Sequence, residues 1–568
     1  MINNPLKYSF LCLLASQQIF AGNPNLSYQY VVPYSTGGSL TIKNNGPDPV
    51  TISSLSFNSN ANMDGKPWGT LYGWNSTIKT VPNADGITIN YTINESPAIT
   101  IAPSASAVLT YNLTNQYGGP FSPYNAAMNS TEVTVMAASG DGAPTSITPQ
   151  IEGVCTEDAC KDPDAGKILL GYYPNWAYWR NPKFTTNQLQ YTKVNHINYA
   201  FFIFDNNGNI SLYDRESDAF NLPPLSQARL RYPYLNLSLS FGGWSWASTP
   251  SGWNCKKGAS PQGPAACFAQ LTADSTATDA FVKNAIQGML ETHFNGIDID
   301  WEYPLTADEA AHYVTLLTKL RTALDEQGTK DGTHYLLTIA TPAGIDKINA
   351  LTKEQWQTVA GLVDSIDVMT YDFHGSWDQG EVGSDFLSAM ALDPELDPTY
   401  NTPILKNYNV IDAMTAYTNL EVPANKLVVG IPVYGRMDNI LSQGPYLGLY
   451  QPITGTPQGE WDNQQSGSTG MIDYACIVDK SQCGNGYTLP PLTLVQPTED
   501  NLGQYSKTPW GYASQLFLSY DDGKSAAYKT QWALDHQFSG VMLWDLSGDL
   551  PDTDDRSIVN SIYKIFNK

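Results

Sequence analysis

At 568 residues the chain is too long for one small module, and two or three folding units are expected. With 42% hydrophobic and only 15% charged residues it can bury a large core, which excludes whole-chain disorder. A formal charge of -24 repels phosphate backbones and anionic lipid heads, excluding nucleic acid and membrane surfaces as partners.

Residues 1–21 read as an export signal: Lys7 precedes an apolar stretch from Tyr8 to Ala15, and a cleavage site follows Ala21. The stretch is too short to span a bilayer, and no later segment has roughly 18 uninterrupted apolar residues. A secreted, monomeric protein is expected. Removing Cys12 from the seven cysteines leaves three close pairs, Cys155 with Cys160, Cys255 with Cys267 and Cys476 with Cys483. Such pairs in short loops suit local disulfides in an oxidising compartment.

From 22 to 152 short β-prone runs such as "VTISSLSF" and "GITINYTI" alternate with Gly, Pro, Asn and Ser, the pattern of a β-sandwich. Trp68, Tyr72 and Trp74 fall in a Gly- and Asn-rich stretch. Flat rings there suit sugar stacking, or a core position in a spacer module. Residues 153–166, rich in acid and Pro, read as a linker.

From 167 to 568 apolar strands alternate with helical stretches, the signature of a parallel sheet with crossover helices. The strands are "KILLGYY", "VNHINYAFFIF", "LNLSLSF", "GIDIDWE", "YLLTIAT", "SIDVMTYD", "KLVVGIPVY" and "GVMLWDL". Eight such strands close a (β/α)8 TIM barrel, whose chemistry lies at the C-terminal strand ends. Between strands four and five a helix from about Thr306 to Glu326 opens with Thr306 and Glu309 as a capping box. The stretch between Tyr434, ending strand seven, and Gly540 is too long for one loop and one helix, so a small α+β insertion is expected at about 437–518.

In strand four, Asp298, Asp300 and Glu302 are two apart and share a face, while Ile297, Ile299 and Trp301 take the other. Three inward carboxyls repel one another and resist desolvation. That repulsion raises their pKa values and can keep Glu302, nearest the strand's C-terminal end, protonated near neutral pH as a general acid. Protonation of a glycosidic oxygen suits such an acid. No second carboxyl of the motif is clearly placed as the opposing nucleophile.

The motif "GIDIDWEYP" resembles the D-x-D-x-E signature of family 18 glycoside hydrolases. "SFGG" (Ser240 to Gly243), "MTYD" (Met369 to Asp372), "YGR" (Tyr434 to Arg436) and "GVMLWDL" resemble that family's strand-three, strand-six, strand-seven and last-strand motifs in order. The resemblance implies a substrate-assisted retaining mechanism in which the sugar's N-acetyl carbonyl is the nucleophile. It further implies that Glu302 is the acid, that Asp300 holds the acetamido nitrogen, and that Asp298 tunes Asp300. Tyr371 and Asp372 would position the acetamido group, Tyr434 and Arg436 would line the site, and Trp544 would be its floor.

Trp176 resembles a stacking residue on the non-reducing side and Trp244 one on the reducing side; each also reads as loop packing. Tyr172 and Met369 join the substrate-facing set, although Met369, like Tyr199, also reads as barrel packing. Where the family often has Asp-Gly this chain has Asn295-Gly296, so altered hydrogen bonding is expected there without loss of activity. The insertion resembles the small domain that deepens the cleft in one chitinase subfamily.

No cofactor or metal is expected, since the six His residues form no H-E-x-x-H or i, i+4 pair. Asp552, Asp554 and Asp555 read as a solvated loop. The sequence therefore reads as a secreted chitinase acting on chitin and N-acetylglucosamine oligosaccharides. The alternatives are an endo-β-N-acetylglucosaminidase acting on N-glycans and a non-catalytic chitin-binding lectin.

Overall fold

The structure, a computed structural model, describes residues 26–34, 37–60, 69–73, 76–82, 88–115, 133–139, 143–147, 150–151, 162–163, 166–244, 266–380, 382–463 and 467–568. The chain forms two compact units. The expected export signal, Trp68 and Trp74 lie outside the described residues, as do Cys155, Cys160 and Cys255.

Among the described residues the N-terminal unit is built of two five-stranded sheets, as a β-sandwich requires. Val50–Asn60 is the central strand of one, pairing antiparallel with Thr88–Ile101 and Val133–Ser139. Val50 and Ile52, two apart and therefore on one face, are buried with Ile101, Val135 and Ala137. Tyr72 lies on the strand Gly69–Gly73.

The second unit is a closed parallel barrel. Its strands are β1 (Ile168–Pro174), β2 (His196–Phe204), β3 (Asn236–Gly242), β4 (Gly296–Asp300), β5 (Leu336–Thr341), β6 (Ser365–Val368), β7 (Leu427–Pro432) and β8 (Gly540–Trp544). Each pairs with its neighbour in chain order, and β1 pairs with β8 to close the ring. The crossover helices are α1 (Arg215–Arg231), α2 (Ser275–Glu291), α3 (Ala307–Asp331), α4 (Lys353–Leu362), α5 (Val410–Asn419) and α6 (Gly523–Asp535), and α7 (Ile558–Phe566) follows β8. The capping box of Thr306 and Glu309 forms as expected, but α3 runs on to Asp331, where Gly332 in the left-handed region ends it.

Period-two alternation sorts each strand into two cores. Leu169, Ile197, Leu239, Ile297, Ile299, Ile339, Val429 and Leu543 pack outward in the large cluster shared with the helices. Leu170, Tyr172, Ala200, Val428 and Met542 form a separate inner cluster. Inward polar residues stand on β2 (His196, Asn198) and on β3 to β6, and the inward acids are confined to β4 and β6.

Three strands end earlier than the sequence pattern implied. Strand β4 stops at Asp300, leaving Glu302 just beyond it, and β6 stops at Val368, before Tyr371 and Asp372. Strand β7 stops at Pro432, so Tyr434 does not end it. Tyr434–Ile440 is instead the first strand of the inserted sheet, antiparallel to Leu516–Tyr520. Proline has no N–H to continue a ladder, and just past it the Val433 N–H makes a last bond to the barrel, at 2.8 Å to the Trp544 carbonyl of β8. The "YGR" residues therefore belong to the insertion, a six-stranded sheet with the helix Tyr474–Val478. Cys476 and Cys483 are bonded within it, and Cys267 is also disulfide-bonded.

Where the chain returns from the insertion to the barrel, a buried ion pair anchors α6. Lys529 Nζ lies 2.5 Å from Asp521 Oδ2, both side chains are 0% exposed, and the amine also donates to the Ser388 hydroxyl and carbonyl at 2.6 Å. Removing one partner strands the other charge in a low-dielectric interior. Asp521→Ala is expected to cost about 3–5 kcal/mol, and Asp521→Leu with Lys529→Met markedly less, in urea unfolding followed by near-ultraviolet circular dichroism.

Candidate active site

Asp298 is fully buried on the inward face of β4. Its Oδ2 accepts from the hydroxyls of Tyr172 at 2.9 Å and Ser240 at 2.7 Å, and its Oδ1 from the Thr338 hydroxyl at 2.7 Å. Three donors and no acceptor suit a carboxylate, although burial still raises its pKa.

Asp300, one inward position higher and 3% exposed, has no such support, and its Oδ1 is without a hydrogen-bond partner. Burial, then the charge of Glu302, then those of Asp298 and Asp367, push its pKa well above the carboxylate range. Asp367 is a further fully buried acid, inward on β6, raised by burial and by Asp298. Among the described residues no Lys, Arg or His forms an ion pair with these three carboxyls. Burial therefore raises the pKa values of all three, and repulsion by neighbouring acids adds to this at Asp300 and Asp367.

Glu302 stands at the mouth, just past β4. Burial pushes its pKa up to about 7, with the Asp372 charge adding to this, while hydrogen bonds from the Tyr303 side chain and the Trp244 backbone N–H hold it back. The Trp244 N–H reaches Glu302 because β3 ends against β4, with the Gly243 N–H donating to the Asp300 carbonyl at 3.0 Å. Gly242 has φ +122, and a Cβ there would lie 2.0 Å from the Asp300 carbonyl oxygen, which accounts for the "GG".

Opposite this column, Asp372 is gripped from the insertion. Arg436 donates from Nε to Oδ1 at 2.6 Å and from Nη2 to Oδ2 at 2.7 Å, and the Tyr434 hydroxyl adds 2.7 Å to Oδ1. Tyr371 is buried with its ring edge-on to Tyr434 at 6.3 Å and its hydroxyl directed to Met542 Sδ at 3.6 Å. Trp544 is packed on Phe201 at 5.8 Å and 23° and on Tyr172 at 5.3 Å. Trp176 lies 6.3 Å from Trp544, and Trp244 is 57% exposed at the end of β3. Met369 packs on the inner core beside Tyr371, whereas Tyr199 is in the outer core with its hydroxyl on Asp218.

Asn295 satisfies its own end of β4: Oδ1 accepts from Leu237 N at 2.8 Å and Nδ2 donates to Asn236 Oδ1 at 2.7 Å. Its bonds stay at the N-terminal rim of the barrel. Among the described residues no group of three or more His, Cys, Asp or Glu side chains has the geometry to hold a metal ion.

Residues 168–549 match the family described as glycosyl hydrolases family 18, and the chain belongs to that family. It is 30% identical over 442 residues to Chitinase A1 of Niallia circulans, a match spanning 67% of this chain and 56% of that protein. Among solved structures it resembles Chitinase ChiA74 from Bacillus thuringiensis with a TM-score of 0.58 and 26% identity, over 71% of this chain and 70% of that one. It shares the fold of human YKL-39, described as a pseudo-chitinase with retained chitooligosaccharide binding properties (TM-score 0.58, 23% identity, 71% and 100% coverage).

Several residues of the site escaped the sequence reading. Thr338 is legible as the inward polar residue of "LLTIAT", and Ser240 lies inside the "SFGG" motif. Trp377 is 53% exposed with the Arg436 guanidinium 4.9 Å from its ring centroid, and its signal was an aromatic in the Gly-flanked loop after strand six. Nothing in the sequence marked Asp367 as a neighbour of Asp298.

The raised pKa of Glu302 is a stability statement. Above the pKa of an unfolded glutamate the native state must either hold the proton or bear a crowded charge, so stability is lost as pH rises toward about 7. Glu302→Gln is therefore expected to stabilise the protein by about 1 kcal/mol or more at pH 8 and by nothing at pH 4, read from thermal melts at the two values.

Proposed function

We propose that the protein is a chitinase that hydrolyses β-1,4 bonds between N-acetylglucosamine units with retention at the anomeric carbon. The observation that carries this reading is the column of Asp298, Asp300 and Glu302 along and just past β4, whose outermost member has its pKa pushed up to about 7. The D-x-D-x-E column and the names of the relatives support it.

In the first step the glycosidic C–O bond breaks as Glu302 gives its proton to the leaving oxygen, and the substrate's own acetamido carbonyl oxygen bonds to the anomeric carbon. Asp300 hydrogen-bonds the acetamido nitrogen and offsets the positive oxazolinium. Asp298, fixed by Tyr172, Ser240 and Thr338, sets the charge that Asp300 feels. In the second step Glu302, now a carboxylate, takes a proton from water as the water oxygen attacks the anomeric carbon and the carbonyl oxygen leaves.

Tyr371 and Asp372 position the acetamido group, with Asp372 held by Arg436 and Tyr434. Trp544 floors the central sugar, Trp176 extends it on the non-reducing side, and Trp244 with Trp377 does so on the other. Met369 supports Tyr371 from below. The apolar stretch near the N-terminus and the bonded cysteines support export. The binding-only reading draws on the shared fold with a pseudo-chitinase, and the retained Glu302 argues against it.

Chitin hexasaccharide incubated with the protein is expected to yield shorter oligosaccharides by mass spectrometry, and Glu302→Gln to yield none while still binding the hexasaccharide. Binding without cleavage by both proteins supports the lectin. Because Glu302 must be protonated to act, kcat/KM is expected to fall about tenfold per pH unit above about 7. A profile flat from pH 7 to 9 excludes Glu302 as the acid.

A further inference from the structure

Beyond Trp176 the chain makes a single 3-10 turn, Asn175–Trp179. Such a turn has three residues per revolution and a rise near 2.0 Å, so Trp176 and Trp179 leave the same face about 6 Å apart along its axis. Trp176 already continues the ring surface of Trp544 and Phe201, at 6.3 and 6.0 Å. Trp179 is 50% exposed.

An exposed indole ordinarily rotates, yet this one is held on three sides. Its Nε1–H donates to Asp214 Oδ2, its ring meets Tyr178 edge-on at 5.0 Å and 85°, and Lys183 Nζ lies 5.6 Å from its centroid. Asp214 is also the N-cap of α1, its Oδ1 accepting from the Glu216 N–H at 2.9 Å. One turn on, the buried Asp218 ties the same helix start to the other end of the aromatic turn. Its Oδ1 accepts from Asn175 Nδ2 at 3.1 Å and from the Tyr199 hydroxyl at 2.6 Å, and its Oδ2 from the Asp214 N–H at 3.1 Å. Tyr178 packs on Phe220 of the helix at 5.1 Å. The first turns of α1 thus hold Asn175, Tyr178 and Trp179 together, with Trp176 between them.

We propose that Asp214 is a positioning residue that fixes Trp179 as an outlying sugar-stacking platform, and thereby sets a preference for long N-acetylglucosamine chains over short ones. This rests on the chitinase reading above. A platform oriented before binding spares the ordering cost that a free indole incurs, so its gain appears only with chains long enough to reach it.

The test exploits the two jobs of the Asp214 carboxylate. In Asp214→Asn the amide oxygen still caps α1, since Asn is as good an N-cap as Asp, but the amide NH2 faces the indole N–H and two donors cannot bond. Steady-state kinetics on chitin hexasaccharide and trisaccharide are compared for wild type, Asp214→Asn, Trp179→Ala and the double variant. Asp214→Asn is expected to raise KM for the hexasaccharide about three- to tenfold with kcat kept, and to leave trisaccharide kinetics and the melting temperature unchanged. Trp179→Ala should lower the hexasaccharide-to-trisaccharide ratio of kcat/KM equally, and the double variant no further.

A wild-type ratio in Asp214→Asn overturns the proposal, as does an equal loss on both substrates, which would mark a structural role. If Asp214→Asn does not fold, Asp214→Ser keeps a cap without an indole partner and must give the same ratio. Failure of wild type to cleave either substrate defeats the chitinase reading instead.

Discussion

Several carboxyl groups inside an apolar barrel, with no ion-pair partner among the described residues, are the constraint around which the rest of this structure is arranged. Bare carboxylates there would each be prohibitively costly, so the fold meets each in a different way. Asp298 receives three hydroxyl donors from β1, β3 and β5, which accounts for Tyr172, Ser240 and Thr338 standing inward on strands otherwise apolar or small. Asp300 and Asp367 receive no ion pair among the described residues, and burial together with the neighbouring acids pushes the pKa of both up. Glu302, at the rim, is left with a proton that it can lose near neutral pH.

The opposite wall solves a different problem. Asp372 has a left-handed backbone, at φ 56, and its carboxylate is matched by a bidentate arginine from another module of the chain. Arg436 comes from the inserted sheet and not from β7, so the insertion is tied to the site by the same bond that orients Asp372. Its guanidinium also lies over Trp377, joining an exposed ring to that wall. The aromatic surface around Trp544 is likewise built from separate strands, with Phe201 from β2 and Tyr172 from β1.

Much of this was legible in one dimension because the barrel repeats a simple rule. Period-two alternation in "GIDID" separated the inward acids from Ile297 and Ile299, and the outer and inner clusters follow that division. The Thr306 and Glu309 box marked the start of α3. Strand ends were less legible, since "VVGIPVY" looks like one strand although its residues serve two sheets. Pairing with Leu516–Tyr520, some eighty residues away, decides where the second begins, and no local pattern reports it.

The sequence by itself determined the strand and helix order, the inward column Asp298, Asp300 and Glu302, and the family resemblance. Each depends on spacing along a single element. Tertiary structure alone decided which acid receives hydroxyl donors and which is left without them, that Asp367 joins them, and that Arg436 grips Asp372 from the insertion. It also decided that the start of α1 holds the Trp176 to Trp179 turn. A pKa and an ion pair depend on what approaches from other strands and on how completely water is removed, and both are set only when the ring closes.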